Sequence, residues 1–87
     1  MLVRHTVENG VLRVALLGDL DVSSRAAAAL QIETLLHSHR PEQVRITLST
    51  SDPSRASLSV LARARRLCEG LGIPLTVAGP ASRPAAA

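Results

Sequence analysis

Asn9-Gly10 lies between two apolar runs, residues 2–7 and Val11 to Leu17. A two-residue type I′ turn needs positive φ at both central positions, which Asn and Gly tolerate, and its twist matches that of the paired strands. The dipeptide predicts an antiparallel hairpin at the start of the chain. Beyond it the pattern changes period. Gly18-Asp19-Leu20-Asp21 breaks the second strand, and Ala28, Ala29, Ile32, Leu35 and Leu36 then recur at helical spacing. Val22-Ser23-Ser24 leads into this helix, with Asp21 or a serine as its N-cap. Pro41 lies past its end, since proline cannot continue a helix.

Val44 to Leu48 alternates and is β-branched, so it reads as a third strand. Ser57, Val60, Leu61, Ala64, Leu67, Cys68 and Leu71 form the stripe of a second helix, closed by Gly70-Leu71-Gly72. Ile73 to Ala78 is the last strand, with Pro74 near its start. The order β-β-α-β-α-β puts a helical crossover before each later strand, so those strands pair in parallel. The expected fold is α/β: a four-stranded mixed sheet with helices packed on one face. Residues 1–80 form the domain, and the low-complexity residues 81–87 a disordered tail.

The chain has 87 residues and no Phe, Trp or Tyr, so its core is built from Leu, Val, Ile and Ala. A domain of this size buries roughly 60–65% of its unfolded surface, which leaves modest stability. The ten basic residues, all Arg, against seven acidic ones give a net charge of +3. The arginines are scattered along the sequence, whereas nucleic-acid binding wants a clustered basic stripe, and single-strand binding wants aromatic platforms. No nucleic-acid role is expected. A single cysteine, Cys68, excludes an internal disulfide and falls on the apolar stripe of the second helix. His5, His37 and His39 are scattered, and the latter two do not share a helix face. No cofactor or metal is expected. The N-terminus shows no signal peptide and no run reaches a membrane span, so the chain reads as soluble and cytoplasmic.

Thr50-Ser51-Asp52-Pro53-Ser54-Arg55-Ala56-Ser57 connects the third strand to the second helix and carries four hydroxyls, a carboxylate and an arginine. In open α/β sheets, function collects at such strand-to-helix connections. No nucleophile elbow, phosphate-binding glycine loop or dinucleotide fingerprint is present, so no catalytic role is expected. Ser54 or Ser57 would serve as the N-cap of the second helix.

Four short motifs resemble the STAS domain, the module of bacterial anti-sigma-factor antagonists. Gly18-Asp19-Leu20-Asp21 resembles that family's Gly-Glu-Leu-Asp turn. Val44 to Ser49 is similar to its hydrophobic strand, with Thr47 in place of the usual aspartate. Leu61-Ala62-Arg63-Ala64-Arg65-Arg66-Leu67 resembles the leucine-arginine helix of actinobacterial members, and Leu75 to Pro80 their closing Leu-x-Leu-x-Gly-Pro. The resemblance covers roughly residues 8–80. It implies docking onto an anti-sigma factor that is also a serine kinase, controlled by phosphorylation of a serine in an Asp-Ser-Ser-Gly loop. Here Ser54-Arg55-Ala56-Ser57 stands over that motif, which places Arg55 at the phosphoacceptor position. Ser54 and Ser57 remain the phosphoacceptor candidates. The partner surface the resemblance implies comprises Asp19, Asp21, Ser23, Ser24, Asp52, Ser54, Arg55, Ala56 and Ser57. The family's C-terminal helix has no counterpart in residues 81–87. The alternative is a non-phosphorylatable STAS scaffold that homodimerises or assembles a regulatory complex.

Overall fold

The Asn9-Gly10 turn forms as expected, with φ of 54° and 80°. It joins β1 (Val3–Glu8) to β2 (Val11–Leu16) in antiparallel register, Val3 opposite Leu16 and Glu8 opposite Val11. A computed structural model describes residues 3–79 of the chain; the expected tail at 81–87 lies outside them. The remaining elements are α1 (Val22–His39), β3 (Gln43–Thr47), α2 (Arg55–Leu71) and β4 (Leu75–Ala78). The sheet order is β1-β2-β3-β4, with β2–β3 and β3–β4 parallel. The fold is the expected α/β mixed sheet.

Alternation within the strands decides which face is covered. Leu12, Val14 and Leu16 of β2, and Val44 and Ile46 of β3, are buried against the helices. From α1 they meet Ala28, Ile32 and Leu36, and from α2 Val60, Ala64 and Cys68. The alternating positions Arg13, Arg45, Thr47 and Thr76 stay exposed. Helices therefore lie on one face only. The two helices pack on each other, and Arg63 Nη2 approaches Glu33 Oε1 at 3.5 Å across their outer surface.

The helix ends differ from the apolar pattern by a few residues. The apolar stripes begin only at Ala28 and Ser57, whereas the helices begin at Val22 and Arg55, directly after the N-cap candidates Asp21 and Ser54. The first turns are set by caps, not by apolar spacing. Asp21 caps α1 in a capping box with Ser24, and Ser54 caps α2 by accepting from the Ser57 N–H. At the other ends, Arg40 (φ 47°) and Gly72 (φ 73°) take the left-handed conformation that closes a helix. Pro74 precedes β4, where its carbonyl accepts from Val44 N–H and its missing donor costs nothing.

Candidate functional site

Parallel pairing of β2 and β3 brings both strand ends to one edge of the sheet, so the turn at residues 18–21 meets the start of α2. Four hydrogen bonds join them, and a fifth within the start of α2 completes the set. Asp19 Oδ1 accepts from Ser54 N–H at 3.0 Å and from the Ser57 hydroxyl at 2.7 Å. Ser57 Oγ in turn accepts from Leu20 N–H at 3.0 Å, and the Ser54 hydroxyl donates to the Leu20 carbonyl at 2.6 Å. Ser57 N–H closes the set on Ser54 Oγ at 3.2 Å. Leu20 is buried beneath this clamp, so its backbone groups have no water to fall back on.

The donors act on the carboxylates. The Ser54 N–H, followed by the Ser57 hydroxyl, holds Asp19 below the usual carboxylate range. The Ser23 hydroxyl, then the hydroxyl and N–H of Ser24, do the same for Asp21. Asp19 thus places its negative charge at the N-terminal end of α2, on the N–H of its cap Ser54, where the helix dipole favours it.

The sequence-derived candidates divide into two groups. Asp19, Asp21, Ser23, Asp52 and Arg55 are exposed, and Ser24 and Ser54 are half-buried. Ala56 and Ser57 face the interior, Ser57 at 1% exposure. Asp52 stands apart from the clamp, its N–H donating to Thr50 Oγ1 at 3.1 Å. Both phosphoacceptor candidates have their hydroxyls engaged: Ser57 donates to a carboxylate and Ser54 to a buried carbonyl.

Three apolar residues beside the clamp were not singled out in the sequence. Leu17 is 43% exposed, Val22 78% and Leu58 51%. Leu58 is one residue off the buried positions Ser57, Val60, Ala64 and Cys68, about 100° around the helix. That offset is the signal that could have identified it. The structure also brings together His5 and His39, whose ring centroids lie 5.7 Å apart. Among the described residues, no group of three or more His, Cys, Asp or Glu is placed to hold a metal ion. Cys68 is buried, as expected, and burial pushes its thiol pKa up. No helix among the described residues is long and apolar enough to cross a membrane. No protein-family model matches the chain, and no curated protein matches it.

Proposed function

We propose that this chain is a protein-docking regulatory module of the anti-sigma-factor-antagonist kind, with its docking edge held in one fixed state. The observation that carries this reading is the edge itself. Solvent-exposed Leu17, Val22 and Leu58 stand next to the hydrogen-bonded clamp of Asp19, Ser54 and Ser57. Exposed apolar side chains beside preorganised polar ones are what a protein interface needs. The β-β-α-β-α-β architecture agrees with the STAS resemblance carried by Gly18 to Asp21 and the other motifs. Its partner is a kinase-type anti-sigma factor, met by Asp19, Asp21, Ser23, Ser24, Asp52, Ser54 and Arg55.

The fixed state follows from electrostatics. A phosphate adds about −1.5 to −2 charge. On Ser54 or Ser57 it would face the Asp19 carboxylate, which already accepts from the Ser54 N–H and the Ser57 hydroxyl at the start of α2. Arg55 at the family's phosphoacceptor position keeps a positive charge where the switch would add a negative one.

The test is incubation with kinase-type anti-sigma factors and ATP, read by calorimetry and intact mass. A complex is expected, about tenfold or more weaker for Val22→Asp or Leu58→Asp, as removal of an interface anchor requires. The mass of the chain is expected to stay unchanged. Failure to bind any such partner overturns the docking reading, and a phosphate gained on Ser54 overturns the fixed state.

A second reading, a homodimerising scaffold, draws support from an open groove of about 510 Å³ between β1 and α1. Val3, Leu30 and Leu35 line it, and Leu30 is 63% exposed. A concentration-dependent dimer in light scattering, abolished by Leu30→Glu, would favour this reading.

A further inference from the structure

The arginines that look scattered in the sequence are gathered by strand register. On the sheet face opposite the helices, Arg13 stands directly beside Arg45 in the β2–β3 pair, with Thr6 and Thr76 completing the row. The next row is Arg4, Ala15, Thr47 and Ala78. Neighbouring strands are about 4.8 Å apart, so three guanidinium stems rise from one small patch. Like charges directly opposite each other destabilise a sheet. Among the described residues, none of the three forms an ion pair. Glu8, the one acid in these strands on this face, sits at the hairpin corner beyond Thr6.

We infer that this open face is a second docking surface, which takes an acidic helical segment of another protein on Arg4, Arg13 and Arg45. Charge selects an anionic occupant, because the arrangement is unfavourable in the isolated chain and an anion relieves it. Size excludes a small ligand: the depressions beside these arginines hold about 100 and 140 Å³, whereas small-molecule sites run to roughly 300 Å³ or more. A nucleic-acid strand is disfavoured because the chain has no aromatic side chain on which a base could stack. The chain's own residues 80–87 do not complement the patch, since Arg83 is their one charged side chain. A helix suits the surface because Ala15, Thr47 and Ala78 are small enough for it to lie against the strands as a third layer. Its carboxylates then reach the arginines in charge-assisted pairs. The surface is separate from the edge at Asp19 and does not depend on the function proposed for that edge.

The experiment titrates isotope-labelled protein with a helical Ala/Leu peptide carrying Glu at i, i+4 and i+7. Its Gln counterpart and a single-stranded oligodeoxynucleotide are the comparisons, and amide shifts are the readout. The acidic peptide is expected to shift Arg13, Arg45, Thr47 and Thr76, and the Gln peptide to bind about tenfold or more weakly. Arg13→Gln/Arg45→Gln is expected to weaken binding by a similar factor and to raise the melting temperature, because it removes the opposed charges. Val22→Asp, at the other edge, is expected to leave peptide binding unchanged. Equal binding of the Gln peptide, tighter binding of the oligonucleotide, shifts confined to the Asp19 edge, or no binding would each overturn the inference. A lower melting temperature for the double variant would also overturn it, since the arginines would then be serving the fold.

Discussion

Asp19 joins two segments that are 35 residues apart in sequence, and one oxygen serves both Ser54 N–H and the Ser57 hydroxyl. Removing a donor from such a set costs more than one average hydrogen bond. Ser57→Ala would take the hydroxyl from Asp19 and leave the Leu20 N–H unpaired in the interior. The expected loss is about 1–3 kcal/mol. For a domain of this size each kcal/mol lowers the melting temperature by about 4–8 °C, measurable by far-ultraviolet circular dichroism. Acid should act on the same residue. Asp19 and Asp21 both lie below their ordinary value of 3.8 in the folded chain. Their contribution is therefore fully present above the unfolded value and is lost as pH falls through the lowered folded ones. Asp19→Asn should melt lower than the parent near neutral pH, and the difference should shrink below about pH 4. Parallel curves across that range would show that the charge is not what holds the turn.

At the scale of elements, existence and type were legible because the Asn9-Gly10 turn, the alternating strand at Val44 to Leu48 and the helical stripe of α2 each signal one kind of element. Ends were legible through their capping residues, not through the apolar period. Helix α2 begins at Arg55 because Ser54 accepts the Ser57 N–H, a contact that carries no hydrophobic signature. Helix α1 begins at Val22, with Asp21 and Ser24 capping each other. Gly70 lies inside the last turn of α2, at ordinary φ, and a Cβ there would meet nothing within 4 Å. Gly70→Ala should stabilise the domain by about 0.5–1 kcal/mol, read from urea unfolding. Gly10 is the opposite case. It sits at φ +80°, and a Cβ would meet the Glu42 side chain at 3.1 Å. The hairpin signal was readable because that conformation is one few residues adopt.

At the scale of the molecule, the core is a single aliphatic layer in which each large side chain counts. Leu36 is fully buried. Leu36→Ala should cost about 2–5 kcal/mol, against a total of about 4–13 kcal/mol for 87 residues. Urea unfolding at a much lower midpoint would check it. The helical stripe Ala28, Ala29, Ile32, Leu35 and Leu36 anticipated the α1 side of this core, since burial follows periodicity. The candidate site was legible only as separate pieces. Asp19 and Ser57 are 38 positions apart, and Arg13 and Arg45 are 32 apart; only pairing of β2 with β3 makes either couple neighbours. Cys68 lies under α2 at 1% exposure, in a chain that has no fluorescent side chain of its own. A disulfide reagent in solution can reach that sulfur only while α2 is lifted off the sheet. The rate of thiol labelling is thus a clock for opening of the native state, and substitutions that loosen the clamp at Asp19 should make it run faster.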